Sequence, residues 1–134
     1  MSQLKPRLDH VHVLVADDDE DTVYVLREVL TDLGAIVITT SSSSEALTVL
    51  AQRRVDVIIS DLSMPGMDGL EFMRRVRALP GQDSRPTPAI AFTGFAGDED
   101  RQRAEESGYQ SFIAKPADSF EVASEIARLA RGRS

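Results

Sequence analysis

The chain has 134 residues, of which 42% are hydrophobic, so it is long enough for one hydrophobic core and too short for several. The absence of cysteine excludes disulfides, thiolate metal sites and thiol catalysis, and two histidines are too few for a histidine-rich metal site. The net charge of -7 argues against broad, non-specific binding to nucleic acid, because such binding needs a basic surface.

Five short apolar runs rich in β-branched residues predict strands. None of them alternates with polar residues as a half-exposed strand would, so we predict strands that are covered on both faces. The predicted strands are Val13–Ala16, Ala35–Thr39, Val57–Ile59, Ala89–Phe92 and Phe112–Ala114.

Apolar residues at helical spacing separate and follow these runs, and they predict crossover helices. The segment Asp98–Ser107 predicts the weakest helix, exposed and mobile, because Ala104 is the main apolar residue in it. The stronger helical patterns lie in Val23 to Leu33, Ala46 to Leu50, Phe72 to Leu79 and Phe120 to Ala130.

Residues that end or start helices support this division. Gly34 and Gly108 are expected helix ends, and Ser44 and Asp68 are expected helix starts. Alternating strands and helices predict a doubly wound parallel sheet of the α/β class, with helices on both sides. We expect the whole chain to form one domain, with its core at about residues 11–129 and short flexible tails.

Polar side chains follow every predicted strand except the second. Asp17 and Asp18 follow the first strand, Asp61 the third, Thr93 the fourth and Lys115 the fifth. Each residue alone has an ordinary structural interpretation, such as a helix cap, a strand end or a solvated lysine. Ligands of doubly wound sheets bind beyond the carboxyl ends of the strands, so the joint placement predicts a functional site.

The acidic side chains at this edge indicate the chemistry. Carboxylates held close together repel one another unless their pKa values rise or a cation neutralises them. Mg²⁺ is the best candidate, since it prefers oxygen ligands and commonly binds through one or two carboxylates plus phosphate oxygens. With Lys115 and the Thr93 hydroxyl nearby, one carboxylate could act as a nucleophile and form an acyl phosphate.

Four segments contain these strand ends: VLVADDDEDT, VDVIISDLSMPGMDGLEFMRRVR, PAIAFTG and YQSFIAKP. They resemble the defining blocks of receiver (response regulator) domains of bacterial two-component signalling. The resemblance runs from about Val11 to Leu129, and SDLSMPGMDG followed by a Lys-Pro pair at the right distance is highly specific. It implies a flavodoxin-like, five-stranded parallel sheet with strand order 2-1-3-4-5 and five helices.

The resemblance also implies the residues that hold the phosphoryl group and the metal. Asp61 resembles the phosphoacceptor. Asp18 resembles the direct Mg²⁺ ligand and Asp17 the ligand that acts through water, while Asp61 and the Ser63 carbonyl complete the protein's share of the metal shell. Mn²⁺ is expected to substitute for Mg²⁺.

Further residues resemble the switch of the family. Thr93 resembles the switch hydroxyl, and Lys115 resembles the lysine that pairs with the phosphoryl group, with a cis bond expected between Lys115 and Pro116. Phe112 stands where the family carries an aromatic switch residue, and a purely structural core phenylalanine is an equally good interpretation.

The implied function is signalling. A histidine kinase or a histidine phosphotransfer protein is the expected phosphoryl donor, and the face formed by the fourth helix, fifth strand and fifth helix is expected to change in response. No enzymatic activity is expected beyond phosphoryl uptake and autodephosphorylation, and the downstream target is open.

The chain is similar to receivers attached to hybrid histidine kinases, but a stand-alone regulator is also consistent with it. Gly94 and Phe95 depart from the common family pattern and leave the phosphoryl lifetime open.

Alternative functions account for less of the sequence. A Mg²⁺-dependent phosphatase of the haloacid dehalogenase class would use Asp17 as nucleophile with Asp19 two positions later, but it would leave the SDLSMPGMDG block unexplained. A calcium loop beginning at Asp17 would need glycine where Thr22 stands. A flavin site is disfavoured because the acidic loop would repel the flavin phosphate.

No segment of the sequence predicts a membrane or nucleic-acid partner. No apolar run approaches the roughly 18 residues of a membrane span, and Met1 to His10 lacks the pattern of a signal peptide. We therefore expect a cytoplasmic protein. Arg74, Arg75 and Arg77 form a local basic patch, which we interpret as solvated helix surface.

Overall fold

Strands and helices alternate along residues 6–131, the part of the chain that the computed structural model describes. The strand order is 2-1-3-4-5 and all pairs are parallel, which confirms the predicted doubly wound α/β fold. The elements are β1 (His12–Ala16), α1 (Glu20–Asp32), β2 (Ile36–Thr40), α2 (Ser43–Gln52), β3 (Val57–Ser60), α3 (Gly69–Arg77), β4 (Ala89–Thr93), α4 (Asp98–Ser107), β5 (Ser111–Ala114) and α5 (Ser119–Arg131).

The sheet separates two hydrophobic clusters, one beneath α1 and α5 and the other beneath α2, α3 and α4. Successive residues of a strand point to opposite faces. Val13 and Val15 of β1 accordingly enter the first cluster, while Leu14 enters the second. This division explains why β1, β3 and β4 have unbroken apolar runs, since every residue of β3 and β4 is buried.

The prediction that every strand is covered on both faces is wrong for β2. Among the described strands it pairs only with β1 and forms an edge of the sheet, so most of its residues are only partly buried and Ile36 is 43% exposed. It also begins at Ile36, because the Ala35 amide bonds to the Leu30 carbonyl at the end of α1 and not to a neighbouring strand. The other edge strand, β5, likewise exposes Ala114.

Most of the predicted helix ends are correct, but the start of α2 is not. The N-cap of α2 is Ser42 and not Ser44, because the Ser42 hydroxyl is the one that accepts a hydrogen bond from the Glu45 amide. The bounds of α4 agree with the predicted segment, and most of its side chains are exposed. Gly34 and Gly108 follow the ends of α1 and α4, as predicted, and Asp68 caps the start of α3, as predicted.

The packed core begins earlier in the chain than the predicted residue 11. Leu8 is fully buried in the cluster beneath α1 and α5, and its amide donates to the Leu33 carbonyl at 2.9 Å. The predicted flexible tails include residues 1–5 and 132–134, which lie outside the described residues. Among the described helices, none has the length and apolar character needed to cross a membrane.

Candidate functional site

The parallel hydrogen-bonding pattern of the sheet continues for one residue beyond the ends of the strands, and this brings the predicted site residues together. The Asp17 amide donates to the Thr40 carbonyl, and the Asp61 amide donates to the Ala16 carbonyl, each at 3.1 Å. The Lys115 amide donates to the Thr93 carbonyl at 2.8 Å. Because the strands are parallel, all of these positions lie at one edge of the sheet.

Lys115 joins two of the acidic side chains. Its Nζ donates to Oδ2 of Asp17 at 2.9 Å and to Oδ2 of Asp61 at 3.0 Å. Burial on its own lowers the pKa of the Lys115 ammonium, but the hydrogen bonds with Asp17 and Asp61 outweigh burial and raise the pKa above its usual value. Lys115 is therefore a fixed positive charge at the centre of the site.

The two carboxylates differ in accessibility. The Asp17 side chain is 3% exposed, and its oxygens accept from the Lys115 ammonium and, at 2.9 Å, from the Asp19 amide. The Asp61 side chain is 12% exposed, and its Oδ1 accepts from the Ser63 amide at 3.1 Å. An incoming group therefore reaches Asp61 more easily than Asp17, which disfavours the phosphatase alternative.

The acidic side chains offer a set of oxygen ligands. Asp17, Asp18 and Asp61 each place one carboxylate oxygen within 4.8 Å of the other two, and Asp18 is exposed. Burial raises the pKa of the Asp17 carboxyl, and the Asp19 amide and Lys115 oppose this only in part, so a further cation nearby would be favourable. Such a set of hard oxygen donors fits Mg²⁺.

The two predicted switch residues lie on β4 and β5, the strands that precede and follow α4 in the chain. Thr93 is fully buried at the end of β4, and its Oγ1 accepts from the Phe95 amide at 3.1 Å. Phe112 is half-buried against the cluster beneath α4, and the guanidinium carbon of Arg101 lies 4.6 Å from its ring centroid. The expected cis bond between Lys115 and Pro116 is present.

One residue of the acidic run has a structural role that the sequence analysis missed. Asp19 is the N-cap of α1: its side chain accepts from the Asp21 amide at 3.1 Å and from the Thr22 hydroxyl at 2.9 Å. Its own amide donates to Asp17 and so helps to orient that carboxylate. An aspartate directly before an apolar helical pattern is a common capping signal that could have identified it.

Comparisons with known proteins agree with this arrangement. The family described as response regulator receiver domain matches residues 13–127. An uncharacterised 14.6 kDa protein from the sodA1 3′ region of Leptolyngbya boryana is 44% identical over 115 residues, 86% of each chain. The sensory/regulatory protein RpfC of Xanthomonas campestris is 30% identical over 126 residues, which are 94% of this chain but only 17% of RpfC.

A solved structure is similar as well. The receiver domain of the sensor histidine kinase PA1611 from Pseudomonas aeruginosa was crystallised with a magnesium ion coordinated in its active-site cleft. It superposes with a TM-score of 0.83 at 26% identity, covering 91% of this chain and 98% of that one. Sequence and fold lead to the same assignment: the chain belongs to the receiver domain family of response regulators, the signalling domains of two-component systems.

Proposed function

We propose that Asp61 accepts a phosphoryl group from the phosphohistidine of a histidine kinase or a histidine phosphotransfer protein in the cytoplasm. The observation that carries this proposal is the ion pair between Lys115 and Asp61. Lys115 also pairs with Asp17, but the Asp61 carboxylate is the more accessible of the two, so a fixed positive charge lies beside a carboxylate that a donor can reach. The likeness to the receiver domain of the sensor histidine kinase PA1611 supports the kind of donor.

The transfer needs little more than positioning and charge. A bond forms between a carboxylate oxygen of Asp61 and phosphorus as the bond from phosphorus to the histidine nitrogen breaks, and the bonding electron pair stays on that nitrogen. The Ser63 amide holds the Asp61 carboxylate in place from one side. The Lys115 ammonium can then exchange its bond to Asp61 for one to the phosphoryl oxygens.

The clustered carboxylates of Asp17, Asp18 and Asp61 would hold Mg²⁺. The resemblance to receiver domains adds the Ser63 carbonyl to this ligand set. When bound, Mg²⁺ supplies positive charge that neutralises the phosphoryl oxygens. The magnesium-bound receiver of PA1611 supports this part of the proposal.

Asp18→Ala should weaken Mg²⁺ binding by at least about tenfold, because Asp18 is proposed as the direct ligand. Asp17→Ala should weaken binding less. Titration calorimetry or NMR measures the affinities. Glu20→Ala is the matched control, since it removes another exposed negative charge two residues further along the chain and should leave the affinity nearly unchanged. Equal Mg²⁺ binding by Asp18→Ala and the wild type would remove Asp18 from the ligand set.

We further propose that the face formed by α4, β5 and α5 changes when Asp61 is phosphorylated. A phosphoryl group adds about 1.5 to 2 negative charges and three acceptor oxygens. If the Thr93 hydroxyl turns to donate to them, its bond with the Phe95 amide is lost and the loop of residues 94–97 is released. Space then opens into which Phe112 can turn. Few buried contacts oppose movement of α4, because only Ala104 and Ser107 are buried in it.

Thr93→Ala should therefore uncouple the switch while leaving Asp61 able to accept the group. We expect amide NMR shifts of residues 94–115 on beryllofluoride addition to shrink by about half or more, because a ligand shifts an equilibrium only by its differential affinity for the two states. Thr93→Ser retains the hydroxyl and should respond as the wild type does. Equal shifts in Thr93→Ala and the wild type would assign the coupling to Lys115 or the metal.

A further inference from the structure

Tyr109 lies between α4 and β5 and is buried, with 4% of its surface exposed. Its hydroxyl donates to the carbonyl of Gly69, the first residue of α3, at 2.8 Å. Burial raises the pKa of the Tyr109 phenol far above its usual value, so the hydroxyl keeps its proton and remains a donor. A buried hydrogen bond thus joins the segment between α4 and β5 to the start of α3.

Gly69 in turn lies directly against the backbone of the phosphoacceptor. A Cβ at this position would lie 2.3 Å from the Asp61 carbonyl oxygen and 2.7 Å from the Leu62 Cα, closer than real Cβ atoms come. The Gly69 amide also donates to the Leu62 carbonyl at 2.8 Å. A displacement of Gly69 therefore cannot leave the peptide of Asp61 undisturbed.

The backbone on both sides of Tyr109 is anchored. The Gly108 carbonyl accepts from Nε and Nη2 of Arg77, at the end of α3, at 3.1 and 2.6 Å. The Gln110 side chain accepts from the Ala89 amide of β4 at 2.8 Å, and the Gln110 amide donates to the Ala89 carbonyl. Residues 108–110 thus hold α3 at both of its ends.

We propose that Tyr109 is a positioning residue for the phosphoacceptor: its hydroxyl fixes Gly69, and Gly69 fixes the backbone that carries Asp61. This inference rests on the proposed role of Asp61. Tyr109 and Thr93 have separate hydrogen bonds: the Thr93 hydroxyl, at the end of β4, accepts from the Phe95 amide, whereas the Tyr109 hydroxyl donates to the Gly69 carbonyl. Its contribution is to the geometry of the site before the phosphoryl group arrives.

Tyr109→Phe tests the proposal, because it keeps the ring and removes only the hydroxyl. We expect Mg²⁺-dependent binding of beryllofluoride, followed by amide NMR, to weaken about threefold to tenfold. The Gly69 amide should also exchange its hydrogen faster with solvent, with no ligand present. Ser107→Ala is the matched control, since it removes a buried hydroxyl that donates to the Arg103 carbonyl within α4, at 2.8 Å, away from the loop of Asp61.

The outcomes separate the inference from the proposed function. Unchanged affinity and unchanged Gly69 exchange in Tyr109→Phe would overturn the positioning role. An equal loss of affinity in Ser107→Ala would overturn it too, because the effect would then reflect general destabilisation. If the wild type bound no beryllofluoride, the role of Asp61 would fail, and Gly69 exchange would still decide whether Tyr109 positions the loop.

Discussion

Asp61→Asn should abolish Mg²⁺-dependent phosphoryl uptake from a small donor such as acetyl phosphate. An amide has nearly the shape of a carboxylate, so the asparagine side chain can keep the bond from the Ser63 amide and the loop can keep its fold. The substitution removes the anionic oxygen that attacks phosphorus, and no acyl phosphate can form. Intact-mass spectrometry should therefore detect a singly phosphorylated wild type and an unmodified variant.

A nearby aspartate provides the matched control for this substitution. Asp68 is exposed and caps α3, and asparagine caps helices about as well as aspartate does. Asp68→Asn should therefore be labelled like the wild type. Labelling that persists undiminished in Asp61→Asn would move the acceptor elsewhere, with Asp17 the next carboxylate to examine.

Lys115→Ala should change Mg²⁺ binding and phosphoryl uptake in opposite directions. The Lys115 ammonium bonds to Asp17 and Asp61, two of the proposed metal ligands, and it repels any cation that approaches them. Its removal frees both carboxylates, so Mg²⁺ should bind more tightly. The same change removes the positive charge that faces the phosphoryl oxygens, and uptake should slow by about tenfold or more.

Calorimetry of Mg²⁺ binding and a time course of labelling measure the two effects. Arg54→Ala is the control for the lost charge, because Arg54 is exposed and pairs with Asp56 at 3.4 Å. Asp56 directly precedes β3, at the amino-terminal ends of the strands and so away from the site. Arg54→Ala should alter neither quantity. Weaker Mg²⁺ binding in Lys115→Ala would show that the lysine does not compete with the metal for these carboxylates.

The strands that the sequence predicts best are those buried on both faces. In β1, β3 and β4 both layers of helices need apolar side chains, so these strands have unbroken apolar runs. The edge strand β2 has an apolar run like those of the covered strands, so the sequence alone does not show that β2 is only partly buried. The start of α2 is ambiguous because four consecutive serines, at residues 41–44, can each cap a helix.

The candidate site is largely predictable because parallel topology alone brings strand ends together. Asp17, Asp61 and Lys115 follow different strands, and the fold places them within hydrogen-bonding distance. The bond between Tyr109 and Gly69 is not predictable in this way, since it joins residues 40 positions apart and belongs to no local pattern. Such contacts depend on how helices pack on the sheet, which periodicity does not specify.

The most direct measurement of the central claim is the chemistry of the label on the wild-type protein. We expect acetyl phosphate with Mg²⁺ to add one phosphoryl group, and EDTA to prevent its addition, by intact-mass spectrometry. Hydroxylamine should remove the group, since it cleaves acyl phosphates, and peptide mapping should locate it at Asp61. A label that forms without Mg²⁺, resists hydroxylamine or lies on a serine of residues 41–44 would contradict the account.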